Sequence, residues 1–347
     1  MIVGHQKQLQ FLQYMARTGS LPHALLFSGE DGLGKKTIAF DVAKMLNCQA
    51  LGAGGEACQK CRLCVAIANG IHPAVVFAEP QVNSNSAVSS KGGGQAKSIQ
   101  IAQIRRLERY LSMRSAFSPG GGGGHKVIII DGAHEMTIPA QHAFLKTLEE
   151  PRGNAVIILI TPKPHLLLPT VISRSQQLKF FPVPQKELEN FLAEKGTPKD
   201  LMLKIIKLSL RRPGMALRLL ADEKKLKHKE KILKDVQDIY NSNLSQRFQW
   251  SQDMAKDPQA IPEFLDFWLR FFRGLMLAKM GLLAPLEVAG LSRALLLTGR
   301  SAAPRQFFGY SLSHLRKIIN TIQEVDLAIT TSNVNPRLAL DVLMLEL

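Results

Sequence analysis

Acidic residues are scarce in this chain, cysteines scarcer, and no long apolar run occurs. Its 28 Asp and Glu stand against 44 Lys and Arg, a formal net charge of +16 over 347 residues. An excess of that size points to a polyanion or an acidic partner. No apolar stretch approaches the ~20 residues needed to cross a bilayer. Runs such as Val127–Ile130 and Val156–Ile160 suit buried strands instead. Residues 1–13 are interrupted by polar side chains and offer no apolar core of a secretory signal, so a soluble, cytoplasmic protein is expected. The length exceeds that of one ordinary core and predicts two or three domains.

The four cysteines fall together, as Cys48-x9-Cys58-x2-Cys61-x2-Cys64. Three chemistries compete for such a quartet. Disulfides need an oxidising compartment. An iron–sulfur cluster of the bacterial C-x2-C-x2-C kind continues to a fourth cysteine followed by proline, whereas Val65 and Ala66 follow Cys64 here. Four thiolates around one Zn2+ fit best, and a filled coordination sphere leaves no open position for a catalytic water. The zinc is expected to be structural.

Just upstream, residues 29–35 match G-x-x-x-x-G-K through Gly29, Gly32, Gly34 and Lys35. An apolar run, Leu25–Ser28, enters the glycines, and Thr37–Leu46 follows with helical periodicity. Strand, glycine loop, helix is the context in which backbone N–H groups cradle phosphates and the lysine reaches the β/γ-phosphates. The next position is expected to be Ser or Thr, to hold magnesium. It is Lys36, with a threonine only at Thr37. A lysine offers no lone pair to magnesium and adds positive charge beside it.

Farther on, Ala74–Phe77 reads as a strand, Gln81–Lys97 as a mobile Ser/Asn/Gly-rich loop, and Ile99–Met113 as a helix. Pro119 and five successive glycines predict another flexible turn. Lys126–Asp131 predicts a buried strand ending in an acid, Ile138–Glu149 a helix stopped by Pro151, and Ala155–Thr161 a further strand. Alternating strands and helices imply a mostly parallel sheet with helical cover. Beyond Pro182 only helical periodicity remains. The fold class is therefore α/β followed by all-α: a core over 1–182 with a metal module at 48–64, a small helical domain over 183–222, and a larger one over 223–347. Lys and Arg number twelve against five acids between Lys199 and Asp235, a stripe that a solvated helix face would also produce. Asp131 would supply the second acid of a nucleotide site. The carboxylate that polarises water in hydrolytic enzymes is replaced by Gly132, and Glu135 lies too far along to substitute.

These features resemble a known family, the delta-prime subunits of bacterial sliding-clamp loaders, within the AAA+ class. The resemblance rests on Val3-Gly4-His5-Gln6, Pro22-His23-Ala24-Leu25-Leu26-Phe27, the phosphate-loop relic and the cysteine quartet. It continues in Ala143-Phe144-Leu145-Lys146-Thr147-Leu148-Glu149-Glu150-Pro151 and Leu167-Leu168-Pro169-Thr170-Val171-Ile172-Ser173-Arg174-Ser175, and ends in Pro213-Gly214-Met215-Ala216-Leu217. It covers roughly residues 1–220; the rest matches by helical character and position. The resemblance implies an AAA+ core with a helical lid and a C-terminal collar. It also implies that Arg174 is presented to ATP held by a neighbouring subunit, although Ser175 replaces the family's cysteine. Thr161 falls where a sensor residue would be, and Gly214 where active relatives place an arginine, with Arg218 one turn later. Implied partners are delta and tau/gamma subunits in a hetero-pentameric ring, primed DNA and the sliding clamp. Lys36, Gly132 and Gly214 together favour a subunit that assists hydrolysis without performing it, so its own enzyme status and its ATP binding stay open. An active ATPase motor subunit of the same loader is the alternative. A zinc-dependent DNA-binding module is a weaker one, because the cysteine segment holds only Lys60 and Arg62 as basic residues.

Overall fold

The computed structural model describes residues 2–82, 97–113, 124–150, 153–258, 260–280, 310–331 and 334–347. The glycine turn at 120–123 and most of the Ser/Asn/Gly-rich stretch, 83–96, lie outside them, as does Pro151. Two compact units emerge, Met1–Phe191 with Arg211–Met215, and Leu192–Leu210 with Ala216–Leu347.

The first unit opens with α1 (Gln6–Thr18), β1 (Ala24–Ser28), α2 (Lys35–Asn47), α3 (Arg62–Ala68) and β2 (Val75–Ala78). Two residues at each end of the Ser/Asn/Gly-rich stretch, β3 (Gln81–Val82) and β4 (Lys97–Ser98), pair antiparallel, so its ends are not the unstructured loop expected. There follow α4 (Ile101–Ser112), β5 (Lys126–Asp131), α5 (Ile138–Glu149), β6 (Ala155–Thr161), the short α6 (Pro169–Ser173) and β7 (Gln176–Lys179).

Five strands form one parallel sheet in the order β2-β5-β6-β1-β7. Through their middles its central strands are apolar at successive positions, because both faces are covered, and polar residues fall at the strand ends, Ser28, Lys126, Asp131 and Thr161. Leu26, Ile128, Ile130, Ile157 and Leu159 bury against Ile104, Leu107, Phe144 and Leu148 of α4 and α5. Leu25, Phe27, Val127, Ile129, Val156 and Ile158 bury on the other face against Leu9, Leu12, Ile38 and Val42 of α1 and α2. The alternation is the two-residue period of a strand sandwiched between helical layers.

After β7 come α7 (Gln185–Glu194), α8 (Lys199–Ser209), α9 (Pro213–Ala221), α10 (Glu223–Asn241), α11 (Leu244–Met254), α12 (Ile261–Lys279), α13 (Leu312–Thr331) and α14 (Pro336–Glu346). No strand occurs among the described residues beyond 182, as the periodicity predicts. The second unit is centred on α12, whose Phe264, Trp268, Phe271 and Phe272 pack with Ile318 and Ile322 of α13 and Leu340 and Leu343 of α14. No described helix is long and apolar enough to cross a membrane.

Candidate phosphate loop, arginine and cysteine sites

The glycine loop leaves β1 at the edge of β6: the Gly29 N–H donates to the Thr161 carbonyl at 3.2 Å. At Gly29 φ is +145°, and a Cβ there would sit 2.4 Å from the Phe180 carbonyl oxygen, so only glycine permits this turn. Gly32 accepts at its carbonyl from the Gly214 N–H at 2.7 Å, and Gly34 opens α2. Lys35, at the first position of α2, is 4% exposed. Its ammonium turns back onto the carbonyl oxygens of Gly29 and Glu30. Burial brings its pKa down to about 8, partly opposed by Asp31 and Asp131 and reinforced by Arg212.

Lys36 points to the end of β5. Its Nζ lies 3.7 Å from Asp131 Oδ2 and 4.0 Å from the centroid of the Phe77 ring. Burial raises the pKa of Asp131, and the Lys36 charge works against that rise. Thr37 is exposed, one helical position beyond. Gly132 has φ +75°, and a Cβ added to it would lie 2.9 Å from Pro80 Cγ. A side chain at this position would meet both a left-handed backbone and the Pro80 ring, so the turn favours glycine over a carboxylate. Glu135 ends a short 3-10 turn (Ala133–Glu135) and faces His134, Nε2 to Oε1 3.4 Å.

Thr161 is fully buried at the end of β6, where its hydroxyl accepts from the Lys163 N–H at 3.0 Å. It lies level with Ser28, the last residue of β1 before the loop. Gly214 presses its backbone onto the loop; a Cβ there would meet the Gly32 oxygen at 3.0 Å. The basic side chain reaching the loop is one the sequence reading passed over. Arg212, 3% exposed, donates through Nη1 to the Asp31 carbonyl at 3.4 Å. Its only sequence sign is a position just before Pro213, at the start of α9. His134 was also passed over; burial lowers its pKa, with Asp31, Lys163 and Lys35 among the charges acting on it.

Arg174 stands apart from this group. It caps α6, with Nη2 2.7 Å from Glu149 Oε1 and Nη1 3.4 Å from the Thr170 carbonyl. In the parallel register Gln176 of β7 pairs with Leu25 at the start of β1. Four residues of extended strand, about 13 Å, separate that level from Gly29. Arg174 precedes Gln176, so it lies at the opposite end of the sheet from its own phosphate loop.

The cysteines hang on the end of α2 and the start of α3. Cys48 follows α2, Cys61 caps α3, and all four ligand sulfurs lie within 4.8 Å of one another. Tetrahedral zinc at ~2.3 Å from each sulfur would need edges of about 3.8 Å, so the quartet fits the ion. N–H groups of Cys58, Cys61 and Cys64 donate to the sulfurs of Cys48, Cys58 and Cys61 at 3.3, 3.3 and 3.4 Å. Backbone N–H groups of Lys60 and Cys61 lower the pKa of Cys58. Burial opposes ionisation of Cys61, but donation from the Cys64 and Gln49 backbones together with the Cys64 and Cys58 side chains outweighs it and brings the thiol to about 6. Burial pushes Cys64 up. The donors and spacing suit thiolate ligands of one structural dication.

A family model described as DNA polymerase III, delta subunit, matches residues 4–184. The delta-prime subunit of Bacillus subtilis DNA polymerase III is 30% identical over 263 residues, 76% of this chain and 69% of the relative. The tau subunit of the same organism is 35% identical over 179 residues, 52% of this chain but only 28% of the relative. A solved gamma subunit-related protein from Thermotoga maritima aligns over 97% of both chains at 19% identity, with a TM-score of 0.42.

Proposed function

Because this chain belongs to the delta-prime family of DNA polymerase III clamp-loader subunits, we propose that it supplies Arg174 to ATP held by a neighbouring subunit and does not itself hydrolyse ATP. The observation that carries this reading is the placement of Arg174. It lies at the far end of the sheet from its own loop, exposed enough to meet another molecule, so phosphates it serves belong to a neighbour. An arginine held there could stabilise charge on a transferring phosphoryl group. Lys36 beside Asp131 and the closed turn at Gly132 argue against hydrolysis at the chain's own loop.

In this reading residues 1–182 form an AAA+ core, 183–222 a lid and 223–347 a collar. The partners are delta and tau/gamma subunits in a hetero-pentameric ring, acting on the sliding clamp and primed DNA. Residues Cys48, Cys58, Cys61 and Cys64 would hold zinc, which supplies a cross-link for the segment between α2 and α3.

The test is steady-state ATP hydrolysis by the reconstituted loader with clamp and primed DNA, wild type against Arg174→Ala, with assembly followed by gel filtration. Arginine fingers supplied in trans can be worth about 10³–10⁵ in rate at one site; other intact sites reduce the overall loss. Arg174→Lys should rescue only in part, since an ammonium cannot make the planar two-point contact of a guanidinium. Unchanged hydrolysis by an assembled complex would return Arg174 to a structural ion pair with Glu149. Turnover by the isolated chain that vanished on Lys35→Ala would favour the motor-subunit alternative.

A further inference from the structure

Lys36 occupies the position from which a hydroxyl normally reaches magnesium, half-exposed, with two partners for its ammonium. Its ammonium lies 3.7 Å from Asp131 Oδ2, the acid that would otherwise face the metal. The same ammonium lies 4.0 Å from the centroid of the Phe77 ring. Phe77 is itself fixed, paired in the sheet with Ile129 of β5 and packed against Phe40 of α2 with ring centroids 5.8 Å apart. An aromatic face and a carboxylate together make a seat for a cation. Lys35, its neighbour, is turned inward to the loop carbonyls, so the two lysines take separate places.

Magnesium needs near-octahedral oxygen ligands at ~2.0–2.1 Å and gives up its waters reluctantly. A tethered ammonium at that acid supplies one positive charge, three N–H donors and no lone pair. It repels a dication and can donate directly to phosphate oxygens.

We infer that this loop takes the polyphosphate of a nucleoside di- or triphosphate without a divalent metal, with the Lys36 ammonium in the metal's place. This rests on the reading that residues 29–35 still cradle phosphates, and it goes beyond the arginine supplied to a neighbour. Nucleotide held this way cannot undergo the metal-assisted step that hydrolysis at such loops uses. It would act as a fixed ligand of the subunit, binding as the metal-free anion.

The experiment measures binding of a fluorescent ADP analogue to the full chain in excess magnesium and in EDTA, for wild type, Lys36→Thr and Lys36→Ala. Wild type should bind in EDTA at least as tightly as in magnesium. Lys36→Ala should lose about tenfold in EDTA, the worth of one charge-assisted hydrogen bond. Lys36→Thr should reverse the preference and bind about tenfold tighter with magnesium. Wild-type binding that requires magnesium, a Lys36→Thr variant that behaves like wild type, or no wild-type binding in either buffer would each overturn the inference. None of these outcomes touches the role of Arg174, which is read in the assembled loader.

Discussion

Gly132 and Gly34 have similar backbones, φ +75° and +93°, but very different surroundings. Nothing lies within 4 Å of a Cβ added at Gly34, whereas one at Gly132 meets Pro80 Cγ at 2.9 Å. Gly34→Ala should therefore cost only the left-handed backbone, about 1–2 kcal/mol. Gly132→Ala should cost that plus overlap, about 2–4 kcal/mol in all, and Gly132→Glu should not create an ATPase. Urea unfolding of the two alanine variants checks the order; equal losses would remove the steric account. Lys35 gives a pH prediction with a definite sign. Its folded pKa, about 8, lies below the ordinary lysine value of 10.5, so between those values the unfolded chain holds the extra proton. Stability contributed by this group therefore rises with pH across about 8 to 10.5, and is level below that window. Wild type should gain on Lys35→Met as pH increases from neutral to about 9.5, in paired denaturation curves. A constant difference would show that Lys35 is not desolvated in the folded protein.

At the scale of elements, the cysteine segment and the sheet are separable. Among the described residues the cysteines share an apolar cluster with Met45, Ala57 and Ala16, while the strands bury their side chains in other clusters. Purified protein should carry one zinc per chain. Cys58→Ser should abolish most of it and open residues 48–64 to protease while the sheet's cooperative unfolding persists. Metal analysis by mass spectrometry with limited proteolysis reads both; collapse of the whole unit would mean that the metal holds the core. The central strands were legible in the sequence because β5 and β6 are apolar runs covered on both faces. β7 was not: Gln176, Gln177 and Lys179 form an edge strand, partly exposed, whose pairing with β1 no hydrophobic pattern announces.

On the scale of the whole molecule, both tryptophans belong to the C-terminal unit. Trp268 is 1% exposed and lies 4.9 Å from Phe264 and 6.1 Å from Trp250, between ring centroids. Tryptophan emission therefore reports the second unit alone, and chelation of zinc should leave its unfolding midpoint unchanged. A chelator-induced shift would show that the two units unfold as one. Trp268→Ala should cost about 3–5 kcal/mol, the usual loss for a large buried aromatic.

The sequence by itself determined the alternation of strands and helices, the cysteine quartet and the family, because periodicity, cysteine spacing and glycine placement are local properties of the chain. It also marked Lys36 and Gly132 as departures from a hydrolytic site. Only the tertiary structure decided what those residues touch. Lys36 meets Asp131 and Phe77 across two strands. Gly132 is closed off by Pro80 from beyond β2, and Arg212, 181 positions from Asp31, reaches the loop by folding back onto it. Arg174 is placed away from that loop by the parallel register of β7 on β1. Contacts between residues so far apart depend on how the strands are ordered, and no local pattern encodes that order.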